Sequence, residues 1–175
     1  MPGIDESKTF RPVRIAVLTV SDTRTPETDS SGNILAQRIE EAGHALADRA
    51  LLRDDAESIR DLVKSWSADP GIDVVISTGG TGLTGRDVTV EAVRPLFDKE
   101  IDGFSVVFHM VSYGTVGLST LQSRACAGLV NGTVVFCLPG SNGAVKDGWD
   151  KVISHQLDAR YAPCNLLEVM PRFEE

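Results

Sequence analysis

Basic residues, cysteines, aromatic side chains and long apolar runs are all scarce in this chain of 175 residues. Lysine and arginine total 17 against 25 acidic residues, which gives a formal net charge of -8 at pH 7. Proteins that bind nucleic acid in general carry a basic face, so the composition argues against that class. It leaves room for a local basic pocket that binds a phosphorylated small molecule.

Membrane and secretion signals are also missing. No run of apolar residues approaches the roughly 18 that a membrane-spanning helix needs, and the first twelve residues lack the apolar core of a signal peptide. We therefore predict a cytoplasmic protein with no membrane partner. Cys126, Cys137 and Cys164 form neither a CxxC pair nor a zinc-type pattern with a histidine. Free thiols are the simplest interpretation.

Two nucleotide-binding fingerprints are absent as well. The chain contains no GxxxxGK[ST] segment, and no GxGxxG follows its first predicted strand. The first absence excludes a P-loop protein. The second weakens the hypothesis of a flavin- or dinucleotide-binding domain, which would share the architecture predicted next.

Secondary structure alternates regularly along the chain. Short runs rich in valine and isoleucine predict buried strands at residues 14–20, 73–78 and 132–140, with a weaker strand at 44–52. Apolar residues at helical spacing predict helices at residues 31–43, 55–68, 89–97, 104–112, 119–127 and around 145–153. This order predicts an α/β fold, a three-layer, doubly wound, mostly parallel sheet. We predict one domain over residues 1–175, with residues 1–12 as a loose N-terminal arm.

Three loops of this fold are candidates for ligand binding, because ligands bind beyond the carboxyl ends of such strands. Residues 21–33, 79–88 and 138–146 are rich in glycine, serine, threonine and aspartate. Glycine lets backbone N–H groups approach an anion closely, and a following helix N-terminus adds a favourable dipole. Together the loops predict a phosphate site. The alternative is that they are ordinary turns.

Asp54 and Asp87 each have two interpretations. A bare carboxylate about 4 Å from a phosphate costs on the order of 4 kcal/mol per charge pair at an effective dielectric near 20. Such a residue beside a polyphosphate makes sense mainly when a cation such as Mg²⁺ lies between them. The alternative is capping of the next helix. Capping is favoured for Asp54, because Glu57 completes a capping box, whereas for Asp87 the two interpretations are balanced.

Four segments carry a family resemblance: "LTVSDTR…DSSG", "ISTGGTGLTGRDVT", "TLQSRACAG" and "LPGSNGAVKDGW". They resemble the MoaB/MogA family of molybdenum cofactor biosynthesis, also called the molybdopterin adenylyltransferase family, from about residue 11 to the end. The segment "QLDARYAPCNL" is most similar to the MoaB branch. The resemblance implies the molybdopterin-binding fold, which also occurs in molybdenum insertases and in competence-damage-type proteins.

The resemblance implies a reaction, in which the terminal phosphate of molybdopterin attacks the α-phosphorus of ATP and pyrophosphate leaves. Mg²⁺ is the expected helper. Asp54 and Asp87 match the acidic positions of the adenylylating members, as catalytic residues and Mg²⁺ ligands. Some MoaB-type proteins lack the first of these, which this chain retains. Phosphate counter-charges are expected from Arg124 and Lys146. The other expected substrate-binding residues are Ser21, Asp22, Gly79, Gly80, Thr81, Gly82, Pro139, Gly140 and Ser141.

Self-assembly is a further implication, since family members form trimers and sometimes dimers of trimers. The apolar segment 104–118 is the candidate subunit contact, with core packing as the alternative. We therefore predict a homotrimer or homohexamer whose ligands are molybdopterin and ATP. The alternative function is a non-catalytic protein that binds or carries molybdopterin. An enzyme needs both aspartates, whereas a carrier needs only the glycine and proline loops.

Overall fold

The computed structural model describes residues 1–175. The strands are β1 (Gly3–Ile4), β2 (Arg14–Val20), β3 (Ala45–Leu52), β4 (Val74–Thr78), β5 (Lys99–Glu100), β6 (Cys126–Val130), β7 (Thr133–Leu138) and β8 (Tyr161–Ala162). The α-helices are α1 (Ser30–Glu41), α2 (Ala56–Ala68), α3 (Thr89–Val93), α4 (Asp102–Val116), α5 (Asn142–Gly148), α6 (Ser154–Gln156) and α7 (Leu166–Val169). Short 3-10 helices cover Arg94–Leu96, Gly117–Gln122 and Met170–Arg172, and a π-helix covers Trp149–Ile153.

The main sheet has six strands in the order β3-β2-β4-β7-β6-β5. Strand β2 pairs in parallel with both β3 and β4, and β4 pairs in parallel with β7, whereas β6 and β5 are antiparallel. The chain leaves β2 towards β3 and later returns to β2's other side as β4. The carboxyl ends of β2 and β4 therefore flank the crevice in which such sheets bind ligands. The predicted fold class is confirmed.

Burial on both faces explains the apolar runs of the central strands. In β2 every residue after Arg14 is buried. Ile15 and Val17 face a core shared with α1, α4 and α5, whereas Ala16 and Leu18 face a second core shared with α2 and α3. In a strand covered by helices on both faces no side chain faces solvent, so polar and apolar residues do not alternate.

The predicted helix at residues 119–127 is wrong. A 3-10 helix ends at Gln122, and β6 begins at Cys126. Residues Asn131 and Gly132 join β6 to β7 with φ values of 50° and 79°. This is the positive-φ geometry of a two-residue hairpin, in which the Asn-Gly pair is favoured. The strand predicted at 132–140 is accordingly shorter, because the turn occupies its first residue.

The N-terminal arm, expected to be loose, is anchored to the C-terminal part of the chain. Strand β1 pairs with β8. The ring of Phe10 lies 5.1 Å from that of His44, centroid to centroid, and Lys8 forms a 2.6 Å ion pair with Glu168. The arm is held because an aromatic contact, an ion pair and a short strand pairing act at separate points.

Residues 102–122, which comprise α4 and the following 3-10 helix, are long and apolar enough by length and composition to cross a membrane. The sequence, judged by its uninterrupted apolar runs, predicted no such segment. The α-helical part has 15 residues, which span about 22 Å against a hydrocarbon core of about 30 Å. Gly117, with φ of 60°, then breaks the helix. Length and composition alone are a weak indication of membrane insertion.

This segment exposes an apolar surface that we call the α4 face. It has no Asp, Glu, Lys or Arg between Asp102 and Arg124. Phe104 and Phe108 on the opposite side of the helix are buried in the core. The exposed members of the α4 face are Val106, Val107, Met110, Tyr113, Val116, Leu118 and Leu121.

Candidate functional site

The loops after β2, β4 and β7 meet around an open cavity of about 610 Å³ at the carboxyl edge of the sheet. Val20 is its one hydrophobic residue, so polar groups dominate the wall. The lining residues are Val20, Ser21, Asp22, Thr23, Asp54, Gly79, Gly80, Thr81, Gly82, Asp87, Ser119, Gln122, Ser123, Pro139, Gly140 and Ser141. The topological switch point of the sheet and the cavity coincide.

All of the site residues predicted from the sequence line this cavity except Arg124 and Lys146. Sequence reasoning missed Thr23 and the residues supplied by the segment after α4. That segment forms a 3-10 helix and contributes Ser119, Gln122 and Ser123 to the wall. The quoted segment "TLQSRACAG" contained the signal, because two of these side chains belong to it.

Two glycines after β4 have positive φ, 102° at Gly79 and 70° at Gly80. A Cβ at Gly79 would overlap the Val20 carbonyl oxygen, and one at Gly80 would overlap the Thr89 hydroxyl. The fold therefore requires both glycines for close packing of the loop. The Gly79 N–H donates to the Leu138 carbonyl. The N–H groups of Gly80 and Thr81 donate to no group of the chain and are available to an anion.

Asp87 braces its own loop and does not cap a helix. Its Oδ2 accepts hydrogen bonds from the Thr84 N–H at 2.9 Å and from the Thr84 hydroxyl at 2.7 Å. Val88 precedes α3, and no side chain caps that helix. Burial opposes ionisation of Asp87, but the hydrogen bonds from Thr84 and the Gly82 backbone, with the charge of Arg124, lower its pKa. The capping alternative for Asp87 is wrong.

The Asp54 carboxylate accepts no hydrogen bond from a side chain of the protein; the charge of Arg86 and a backbone hydrogen bond with Asp22 are the favourable influences on it. The cap of α2 is Asp55, which accepts from the Ser58 N–H at 2.8 Å, so the capping prediction for Asp54 is off by one residue. Its Oδ1 faces the backbone of Gly80, where a Cβ would lie 3.2 Å away. Burial, followed by the charges of Asp22 and Asp87, raises the pKa of Asp54. A carboxylate with a raised pKa and no side-chain partner, in the wall of a cavity, is suited to a cationic ligand.

A magnesium ion fits these residues as a companion of a phosphate ligand. No three His, Cys, Asp or Glu side chains group closely enough to enclose a metal ion. Asp54 and Asp87 both line the cavity. Proteins commonly hold Mg²⁺ with one or two carboxylates, while substrate phosphates and water complete the octahedron. The carboxylate pair fits that pattern.

Arg124 supports the glycine loop from outside the cavity. Its Nε donates to the Gly82 carbonyl at 2.9 Å, and Nη2 donates to the Asp87 carbonyl at 3.2 Å. The guanidinium also forms an ion pair with Glu91. These contacts hold the side chain against the loop, and Arg124 does not line the cavity; its role as a phosphate counter-charge stays a prediction. Lys146 is exposed on α5 and does not line the cavity.

Asp22 and Arg86 link the loop after β2 to the glycine loop. Arg86 Nε lies 2.8 Å from Asp22 Oδ2, and Nη2 lies 2.9 Å from Oδ1. The Asp54 N–H also donates to Asp22 Oδ1, at 3.2 Å. The hydrogen bond from Arg86 is the main cause of a lowered pKa at Asp22. The ion pair thus lies beside Asp54, and the charge of Arg86 partly offsets the rise in the pKa of that carboxyl.

A buried carboxylate positions the loop after β2. Asp29, 2% exposed, accepts hydrogen bonds from the Thr19 hydroxyl at 2.8 Å, from Arg49 at 2.7 Å and from the Gly32 N–H at 3.0 Å. A side chain at Gly32 would collide with this carboxylate. The segment "DSSG" therefore fixes where the loop rejoins α1.

Known proteins match the chain over most of its length. Residues 16–159 match the family described as a probable molybdopterin binding domain. Molybdenum cofactor biosynthesis protein B of Escherichia coli (strain K12) is 48% identical over 159 residues, which cover 91% of this chain and 94% of the relative. The protein of the same name from Bacillus subtilis (strain 168) is 44% identical over 158 residues, 89% of this chain and 93% of the relative. The chain belongs to the MoaB/MogA family.

Solved structures of the MoaB/MogA family share the fold. One named Molybdenum cofactor biosynthesis protein B has a TM-score of 0.82 at 45% identity and covers 86% of this chain and 94% of its own. The tungsten cofactor synthesizing protein MoaB from Pyrococcus furiosus has a TM-score of 0.69 at 38% identity, with 80% and 89% covered. A MogA structure has a TM-score of 0.69 at 28% identity, with 82% and 97% covered. The resemblance in the quoted segments is confirmed, and it assigns the chain to molybdenum cofactor biosynthesis.

Proposed function

We propose that the chain binds molybdopterin in the cavity and adenylylates it with Mg-ATP, releasing pyrophosphate, in the cytoplasm. The observation that carries the proposal is the Asp54 carboxylate, which has no side-chain hydrogen-bond partner, lies beside the backbone of Gly80 and lines the cavity. The free N–H groups of Gly80 and Thr81 lie in the same wall. A site that offers both unpaired N–H donors and a carboxylate without a side-chain partner suits a phosphate together with a cation.

The reaction needs positioning and charge neutralisation more than proton transfer. An oxygen of the pterin phosphate forms a bond to the α-phosphorus of ATP. The bond from that phosphorus to the oxygen that bridges it to the β-phosphorus breaks, and pyrophosphate leaves with this oxygen. The phosphate donors are the backbone N–H groups of Gly80 and Thr81, while Gly140 and Ser141 also line the cavity.

A cation is part of the proposal because the cavity is otherwise acidic. Asp22, Asp54 and Asp87 all line it. Burial, and then the negative charges of Asp22 and Asp87, raise the pKa of Asp54. Asp54 and Asp87 would hold Mg²⁺, which supplies neutralisation of the phosphate charges when it is bound. Arg124 supports this arrangement indirectly, because it holds the carbonyls of Gly82 and Asp87.

Incubation of the pure protein with molybdopterin, ATP and Mg²⁺ tests the proposal, with adenylated pterin and pyrophosphate as the products measured. Asp54→Asn and Asp87→Asn should abolish most product formation and keep pterin binding. Asp55→Asn is the matched control, because Asp55 neighbours Asp54 but caps α2 outside the cavity. Pterin binding without any product in the wild type would favour the carrier function.

We also propose that the α4 face joins copies of the chain into a trimer or hexamer. The formal net charge of -8 makes copies repel each other over most of their surface, whereas residues 103–123 contain no Asp, Glu, Lys or Arg. Large exposed apolar patches mark association sites. Light scattering should show an oligomer that Met110→Glu disrupts and Val169→Glu, an exposed apolar residue elsewhere, does not. A stable wild-type monomer at micromolar concentration would contradict this.

A further inference from the structure

We propose that Arg86 is a phosphate-binding residue of the cavity, which exchanges its partner Asp22 for a phosphate of the ligand on binding. The inference rests on the proposed function in one respect, namely that the ligand carries phosphates. It assigns a role to a side chain that forms no part of the cavity wall itself. Its partner Asp22 does belong to that wall.

Neither basic residue predicted from the sequence as a phosphate counter-charge lines the cavity. Arg124 is committed to two carbonyls and to Glu91, and Lys146 lies outside the cavity. Arg24, in the loop after β2, donates to the Thr28 carbonyl and to a serine hydroxyl. Arg86 differs from these, because its side chain is 67% exposed and its one hydrogen-bond partner is a carboxylate. The cavity therefore has an arginine at its rim with an exchangeable partner.

The geometry of the existing ion pair matches the geometry of phosphate recognition. Arg86 contacts Asp22 with two parallel N–H···O bonds, at 2.8 Å and 2.9 Å. The same planar fork binds two oxygens of a phosphate group. Because Asp22 Oδ1 also accepts the Asp54 N–H, this carboxylate keeps a hydrogen bond after Arg86 has left it.

The exchange is energetically accessible. Asp22 is 33% exposed and Arg86 is 67% exposed, and ion pairs this exposed contribute little to stability. A phosphate carries more charge than a carboxylate and therefore competes well for the guanidinium. Asp22 acts in this scheme as a competitor of the ligand for Arg86. Removal of its charge should tighten ligand binding, whereas removal of Arg86 should weaken it.

A purely structural ion pair predicts a different pattern. If the contact only holds the two loops together, loss of either partner loosens the same loops. Asp22→Asn and Arg86→Gln would then weaken ligand binding alike. The sign of the Asp22→Asn effect therefore separates phosphate exchange from loop bracing.

Calorimetric titration with inorganic pyrophosphate and Mg²⁺ tests the exchange on the full chain. We expect Arg86→Gln to weaken pyrophosphate binding by about tenfold or more, because a charge-assisted contact to phosphate is lost. Asp22→Asn should strengthen binding several-fold, because Arg86 no longer has to leave a carboxylate. Arg53→Gln is the matched control for general electrostatics, since Arg53 is exposed, lies next to Asp54 and does not line the cavity. Its effect should stay within about twofold.

Three results would overturn the proposal: no pyrophosphate binding by the wild type, wild-type affinity in Arg86→Gln, or equal weakening in both variants. If circular dichroism shows that Arg86→Gln does not fold, Arg86→Lys replaces it. That variant keeps the charge but loses the fork, so wild-type affinity there would also overturn the proposal. The titration uses neither pterin nor turnover. Its result therefore holds even if adenylylation is not detected, and adenylylation by the wild type does not rescue a failed titration.

Discussion

Two of the acidic loops that reach the cavity differ in how many of their carboxylates form hydrogen bonds within the fold. In residues 79–88 the carboxylate of Asp87 is satisfied by Thr84. In residues 53–55 the fold uses Asp55 as a helix cap and leaves the carboxylate of Asp54 without a side-chain hydrogen bond. Their pKa values accordingly move in opposite directions, down for Asp87 and up for Asp54.

The contrast shows that neighbouring aspartates in one cavity can have opposite effects on stability. A carboxylate with hydrogen-bond donors stabilises the fold, whereas one that faces burial and like charges destabilises it. A destabilising group in a cavity wall is the better candidate for a role in ligand binding or catalysis. Variants of the two residues should therefore separate activity from stability.

The largest effect is expected from Asp54→Asn. The substitution keeps the size of the side chain and removes the negative charge that we propose binds Mg²⁺. Loss of one anchoring electrostatic contact costs about 10²–10³ in rate, so adenylylation should fall by that factor while the thermal midpoint does not fall. Asp55→Asn should change neither quantity, because asparagine caps helices about as well as aspartate. A wild-type rate in Asp54→Asn would remove Asp54 from the mechanism.

Asp87 should show a smaller loss of rate and a larger loss of stability. In Asp87→Asn the amide oxygen can still accept from Thr84, so we expect a rate loss of about 10² with a nearly unchanged midpoint. Asp87→Ala removes both hydrogen bonds and should also lower the free energy of unfolding by about 1–3 kcal/mol. Chemical denaturation of the two variants measures the difference. Equal stability of the Ala and Asn variants would contradict the bracing role.

Arg124→Gln tests the support beneath the glycine loop. The variant leaves the Gly82 and Asp87 carbonyls without their charged donor, and such hydrogen bonds are worth about 1.5–3 kcal/mol. For a chain of this size the thermal midpoint should fall by several degrees, at about 2–4 °C per kcal/mol. Arg172→Gln, which removes an exposed ion pair near the C-terminus, should shift the free energy of unfolding by no more than about 0.5 kcal/mol. Equal midpoints for the two variants would show that Arg124 is a solvated charge.

The sequence predicted those parts of the fold that repeat a simple pattern. Strands β2, β4 and β7 are buried on both faces and read as continuous apolar runs. Helices α1 and α2 follow a helical period. Strand β6 was missed because Cys126–Val130 is short and follows a helix-like segment, although the Asn-Gly turn after it was visible.

The composition of the loops predicted where the site lies, but not which hydrogen bonds and ion pairs its residues form. Glycine-rich loops at the carboxyl edge located the cavity. The pair Asp54-Asp55 offered two possible caps, and the choice depended on the extended backbone of Asp55, with φ of -127° and ψ of 113°. The sequence likewise shows that Arg124 is charged, but not which carbonyls accept its hydrogen bonds, since these lie some forty positions earlier in the chain.

The smallest effect expected is a pH-dependent difference in stability between Asp54→Asn and Asp87→Asn. The folded-state pKa of Asp54 lies above its ordinary value of 3.8. Ionised Asp54 therefore destabilises the fold fully above that raised pKa, and the penalty disappears as the pH falls towards 3.8. The folded-state pKa of Asp87 lies below 3.8, so its stabilisation is complete above 3.8 and is lost as the pH falls through the lowered pKa. At pH 7 Asp54→Asn should melt about 1–2 °C above the wild type and Asp87→Asn slightly below it, for effects within about 0.5 kcal/mol. Thermal melts from pH 7 down to pH 3 should show the first difference vanish before the second, and a constant gap across this range would mean that neither carboxylate titrates with folding.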